Sequence, residues 1–467
     1  MSSQHRPSER KEIAELIARF DRPGPRYTSY PTAVDFTEGE WEGAYIEHLA
    51  KANARPDEPL SLYMHLPFCE ARCLFCACNV IISPDKSKAS PYLDLLEAEI
   101  DLVAKHLPER RLVSQVHLGG GTPTYQSPEQ LARLMRHLDS HFRYTSDCEK
   151  AVECDPRVTT DEHLEVLAGF GFNRISFGVQ DLTEDVQKAI HREQTLEQTA
   201  HLVDVARRLG FGGVNVDLIY GLPLQTVPTF EATVQSIIDM GADRAAVYSF
   251  AFVPWVKSHQ TMMENTSLPA PGEKVALFAA ARERFLAAGF EPIGMDHFAR
   301  PGDELAKARK RGELRRNFQG YAVIPASDVI GFGISAIGDL AGMYAQNTKK
   351  LSRYREALTA GHLPIEKGIV LTRDDEIRRH VIHELMCNFT IDIPAVEARW
   401  SIDFATYFTQ DLDLLQTPQS EGLVEVEPTR IWATPTGELF VRNIALCFDR
   451  RLRETKKEGG PTFSRTV

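Results

Sequence analysis

The chain has 467 residues, 43% hydrophobic and 25% charged, a composition that fits a soluble globular protein of about two or three domains. Its 53 basic and 65 acidic side chains give a formal net charge of −12, which argues against a general binder of nucleic acid or anionic membrane. An anionic ligand would therefore need a local cluster of arginines.

The N-terminal stretch is charged and has no apolar core of signal-peptide length, and no segment reaches the length of a membrane span. A cytoplasmic, monomeric protein is expected. Residues 1–25 and 453–467 read as flexible or loosely docked.

From residue 60 to 300, short β-rich runs alternate with amphipathic helices. The predicted strands are 60–66, 114–120, 149–155, 174–180, 213–221 and 244–252. Between the first two, Leu93, Leu96, Ile100 and Val103 share one helical face. Further helices are predicted over 128–141, 183–209 and 228–240. This alternation predicts an α/β fold, a partial (β/α)6 TIM-type barrel, with a doubly wound open sheet as the competing architecture. After residue 370, helices over 373–388 and 393–416 precede two short strands, which reads as a smaller, mainly helical, winged-helix-like domain. The expected division is 1–55 as an N-terminal extension packing near the active site, 56–300 as the barrel, 301–370 as a connecting, substrate-covering segment, and 371–467 as the C-terminal domain.

In such a barrel, ligands gather on the loops after the strands. Those loops carry the unusual residues. Four of the eight cysteines, Cys69, Cys73, Cys76 and Cys78, crowd into the first loop; Cys148, Cys154, Cys387 and Cys447 are scattered and read as small buried hydrophobes. In a reducing compartment a tight cluster means metal or redox chemistry. The x3–x2 spacing of Cys69, Cys73 and Cys76 resembles the radical S-adenosylmethionine (SAM) superfamily. There, three thiolates hold a [4Fe-4S] cluster and leave one iron for SAM. A zinc site is the competing reading, but Cys76-x-Cys78 is too close for a zinc knuckle and no second pair follows.

The stretch 117–124 follows the second strand. It resembles that superfamily's glycine motif, whose backbone N–H groups could hold an amino-acid head group. Glu153, Gln180 and Asp217 lie at or just past predicted strands, and Arg192 joins them as a possible partner for SAM.

Longer segments carry a closer likeness. PRYTSYPTA (25–33), the cysteine loop with its fourth Cys78, GGGTPTY, ECDPR (153–157), FNRISFGVQD (172–181), NVDLIYGLP (215–223), GMDHFARPGDEL (294–305), RNFQGY (316–321) and YAQN (344–347) resemble the oxygen-independent coproporphyrinogen III oxidases. Departures are small: Leu118 stands where a tryptophan is common and Cys154 where an aliphatic residue is usual.

The resemblance implies two SAM molecules, the first contacting Tyr63, Gly120, Glu153 and Ile337. The second would contact Phe75, Gly121, Thr122, Gln180, Arg192, Asp217 and Ala251. It also implies coproporphyrinogen III as substrate, with an electron donor and an acceptor from outside the chain. Cys78 is expected beside the cluster without bonding to it. Arg26, Arg300 and Arg316 are candidate anchors for the substrate's propionates, each equally readable as a structural ion pair. A haem chaperone of the same superfamily is the alternative, though such chaperones typically lack the fourth cysteine and the PRYTSYPT segment.

Overall fold

A computed structural model describes residues 15–17, 19–264, 266–323 and 328–454, with 463, 465 and 466. The six expected strands form β1 (Leu60–Leu66), β2 (Leu112–Gly120), β3 (Arg143–Cys154), β4 (Arg174–Gln180), β5 (Gly213–Tyr220) and β6 (Arg244–Ser249). They lie side by side in chain order, and each neighbouring pair is parallel. Helices Ala89–Lys105, Pro128–His141, Asp161–Gly169, Leu196–Arg208 and Val227–Asp239 make the crossovers. The helix Pro128–His141 shows why these sequences fold so. Ser127 accepts from the Gln130 amide, proline occupies the first turn, and Leu131, Leu134, Met135 and Leu138 bury one stripe.

The six strands belong to one sheet of thirteen whose ends, Thr37–Glu38 and Glu291–Gly294, do not pair with each other among the described residues. The architecture is thus a partial barrel. Segment 301–370, expected as a covering connection, also places strands in this sheet: Asp328–Phe332 pairs with β1 in parallel, and Ile337–Leu340, Met343–Asn347 and Ile365–Val370 continue it antiparallel.

Three local features differ from the sequence reading. The segment 183–209 is two helices, Glu184–Ala189 and Leu196–Arg208, separated at His191, whose φ of 53° is left-handed. That break turns Arg192 inward. Asp161–Gly169 is a helix that periodicity did not flag; it is short, but Thr160 caps it. The C-terminal run breaks at Ser401 (φ 51°) into Ile393–Trp400, Phe404–Tyr407 and Thr409–Ser420.

Beyond these, Val424–Glu427 and Arg430–Ala433 pair with each other and with Thr390–Asp392, completing a winged-helix-like unit with its own core around Val381, Leu385, Phe408 and Ile444. Tyr27 and Tyr30 join that core, and Arg442 donates to the carbonyls of Pro25 and Arg465. The stretch from Arg22 to Tyr30 and residues 465–466 are therefore firmly docked, against the expectation of loose ends; residues 1–14 and 455–462 lie outside the described residues. No helix among the described residues is long and apolar enough to cross a membrane.

Candidate active site

Strand alternation builds the site. Along β3, β4 and β5, Val152, Ile175, Phe177, Val214, Val216 and Leu218 are buried in the hydrophobic core, while Glu153, Ser176, Asn215 and Asp217 occupy the opposite face. Register places Glu153 beside Ser176, and Ser176 beside Asn215. Asp217 accepts from Ser176 Oγ at 2.9 Å and Asn215 Nδ2 at 2.9 Å. Burial raises its carboxyl to about 6 despite those bonds. Desolvation also raises Glu153, but His117 Nε2 at 3.0 Å and the Gly120 amide outweigh it and leave that carboxyl below its usual range.

The glycine motif works by steric absence. Gly120 has φ +113°, and a Cβ at Gly121 would lie 2.5 Å from the Pro67 carbonyl oxygen. The loop can therefore press against the cysteine loop. The expectation that its N–H groups are available is corrected. Gly121 donates to Leu66 O at 2.9 Å, Thr122 to Phe68 O at 3.0 Å and Gly120 to Glu153. The parallel pairing of β1 and β2 runs on into both loops and consumes the Gly121 and Thr122 donors, while the Glu153 side chain on β3 takes that of Gly120.

Cys69, Cys73, Cys76 and Cys78 line one cavity of about 190 Å³ with Phe75, Gly120, Gly121, Thr122, Glu153, Gln180, Arg192 and Asp217. Cys73 Sγ accepts from Arg157 Nη2 and Arg192 Nη1, both at 3.4 Å. Asp155 clamps both guanidiniums, at 2.7 Å and 2.9 Å. Burial raises the Asp155 carboxyl, but the two arginines more than reverse this and hold it low. Burial pushes the Cys69 thiol up to about 11, whereas a hydrogen bond from Cys78 lowers Cys76. A thiol held neutral in this way loses its proton when a metal binds. Arg192 Nε is buried and has no hydrogen-bond partner among the described residues. The donor set, three thiols in one short loop facing two guanidiniums, fits an iron–sulfur cluster with an anionic ligand beside it.

Tyr63, Ala251 and Ile337 do not line this cavity. Tyr63 Oη lies 3.0 Å from His65 Nδ1, Ala251 O accepts from Gln260 Nε2, and Ile337 sits opposite Gln346 in the sheet extension. Sequence reasoning missed Asp155, Arg157 and Gln260. The first two lay within the ECDPR segment just after β3, where position alone could have singled them out. The fully buried Gln260 donates to the carbonyls of Phe75 and Ala251 and carried no sequence signal.

A second cavity of about 150 Å³ in the barrel interior shares Glu153, Ser176 and Asp217 with the first. A larger one, about 440 Å³, lies along helix Pro271–Ala287 and touches no cysteine.

Family models match at both ends of this architecture: the radical SAM superfamily over residues 63–237 and the HemN C-terminal domain over 371–440. The chain is 43% identical to the oxygen-independent coproporphyrinogen III oxidase of Escherichia coli, over 97% of this chain and 98% of that protein. The chain belongs to the oxygen-independent coproporphyrinogen III oxidase family. The Pseudomonas aeruginosa oxidase is 41% identical, again over 97% of this chain and 98% of its own length. The solved structure titled as E. coli coproporphyrinogen III oxidase, a radical SAM enzyme, superposes with a TM-score of 0.88 at 43% identity, covering 91% of this chain and 97% of that one. Membership of the radical SAM superfamily implies a [4Fe-4S] cluster and SAM.

Proposed function

We propose that the chain converts coproporphyrinogen III to protoporphyrinogen IX in the cytoplasm by oxygen-independent oxidative decarboxylation of two propionates. The observation that carries this reading is the cavity itself, where three loop thiols meet the Asp155–Arg157–Arg192 clamp and the carboxylates of Glu153 and Asp217. Cys69, Cys73 and Cys76 would hold the [4Fe-4S] cluster, leaving Cys78 alongside. When bound, the cluster and SAM would supply the radical chemistry that removes a hydrogen atom from a propionate β-carbon. The propionate then loses CO2 and one electron to become a vinyl group, and an acceptor outside the chain takes the electron.

The protein's own residues position and shield. Arg157 and Arg192 both donate to the Cys73 sulfur and orient it. The narrow glycine loop admits a ligand close to the cysteines. Gln260 pins the backbone at Phe75 and Ala251. Tyr63, Gly120, Glu153 and Ile337 would contact one SAM, and Phe75, Gly121, Thr122, Gln180, Arg192, Asp217 and Ala251 a second. The N-terminal extension through residue 55 would pack near the active site and the segment 301–370 would cover the substrate, with the barrel from 56 to 300 and a C-terminal domain from 371 to 467.

The test is an anaerobic assay with coproporphyrinogen III, SAM and reductant. Protoporphyrinogen and 5′-deoxyadenosine are expected, and both should vanish in Cys73→Ser together with the protein's iron. Full activity in that variant would overturn the cluster assignment.

A further inference from the structure

We infer that Arg316 anchors a substrate propionate other than the one reacting, an inference that rests on the function proposed above. The structure separates the three arginines that sequence left equivalent. Arg26 is paired with the buried Asp296. Arg300 donates to the carbonyls of Ala242 and Ile238 and lies over Phe290, its guanidinium 4.7 Å from the ring centroid. Both are occupied by the fold.

Arg316 is held in place but not satisfied. It lies in a hairpin of Arg315–Asn317 and Gly320–Ala322, directly across from Tyr321. Cross-strand partners share a face, and the Arg316 guanidinium sits 4.8 Å from the Tyr321 ring centroid. Tyr321 is fixed in turn by its hydroxyl, which donates to Met386 O at 3.0 Å, and the Arg316 amide donates to His383 Nε2 at 3.0 Å. Yet Nε and Nη1 of Arg316 are buried and find no acceptor among the described residues. Leaving charged donors unmet away from water is costly unless a ligand supplies the acceptor.

Among the described residues, the nearby carboxylates do not supply it. Arg379 claims Asp339, Arg315 lies 3.7 Å from Glu384, and Arg26 and His297 hold Asp296. The result is a cationic pocket in a chain of net charge −12.

Position links this pocket to the chemistry. Arg316 lines a cavity of about 180 Å³ that shares Gln115, Asn317 and Ala322 with the barrel-interior cavity. The latter shares Glu153, Ser176 and Asp217 with the cysteine cavity. Three adjoining spaces thus run from the thiols to an unmet guanidinium. A macrocycle carrying four carboxylates can present one at each end of such a path, and a planar arginine fork suits the distal one.

The test uses coproporphyrin III, the oxidised and air-stable tetra-acid, titrated against the full chain by fluorescence quenching, where neither cluster nor SAM is needed. Arg316→Ala should weaken binding about ten- to hundredfold, as loss of a charged hydrogen-bond partner does, with Arg316→Lys recovering part of it and Arg300→Ala changing it less than about twofold. The tetramethyl ester should bind wild type and Arg316→Ala alike. In turnover, Arg316→Lys should raise KM more than it lowers kcat. Equal loss of acid and ester binding would mark a collapsed site and overturn the anchor role. Wild-type activity with undiminished coproporphyrin III binding in Arg316→Ala would sink the inference and leave the proposed function standing. Absence of protoporphyrinogen formation by wild type would sink both.

Discussion

Two buried arginines sit at opposite ends of the same parallel sheet and are used in opposite ways. Arg110, before β2, is fully buried, and each of its nitrogens has an acceptor: Nε to Glu58 O at 2.7 Å, Nη1 to Ala52 O and Asp328, Nη2 to Pro59 O at 3.5 Å. Its partner Asp328 also accepts from Arg55 at 2.6 Å and from the Ala341 amide at 2.6 Å. Arg192, beyond the other end of the sheet, is nearly as buried but leaves Nε unmet among the described residues and spends a donor on a cysteine sulfur. A closed network fixes architecture; an open one keeps capacity for a ligand.

The comparison can be broken by mutating each end. Arg110→Ala takes one of two guanidiniums from the buried Asp328, removes the donor to the Glu58 carbonyl and empties a fully buried site, and should cost about 3–5 kcal/mol in urea denaturation of the cluster-free chain. A loss under about 1 kcal/mol would remove the distinction. Arg192→Gln should leave stability within about 1 kcal/mol, since Asp155 keeps Arg157, while turnover falls roughly a hundredfold through a lost charge partner at the ligand. Destabilisation as large as that of Arg110→Ala would show that Arg192 is structural instead.

The smallest effect concerns a second closed network. Glu99 accepts from the Gly333 amide, Asn347 and Tyr354, yet burial raises its carboxyl to about 7. Its folded value lies above its unfolded one, so the folded state binds the extra proton in the window between them. Stability from this group is full below the unfolded value and is lost as pH rises through about 7. Wild type measured against Glu99→Gln should lose roughly 2 kcal/mol between about pH 5 and pH 7.5, then stay flat. A flat difference across that window would show that the three donors keep Glu99 ionised.

Much of the fold was legible because strand and helix periods differ and each strand ends at a polar loop. The spacing of Cys69, Cys73 and Cys76 also showed itself without structure, since thiolates that share a cluster must be close in the chain or be brought together by it. The turn at His191 was not legible: 183–209 carries helical character on both sides, and only packing against Gly178 and Asp155 explains why Arg192 leaves the helix. The use of the glycine-loop amides was hidden for the same reason, because their acceptors, Leu66 and Phe68, lie on another strand.

By itself the sequence determined the alternating β/α order, the metal-type thiol loop and the polar faces at the strand ends, because these depend on local period and spacing. Tertiary structure alone decided which charges are spent and which are left over. Arg26, Arg300 and Arg316 look alike in the chain, and a guanidinium's partners come from segments distant in sequence. Only folding reveals that two of the three are already engaged.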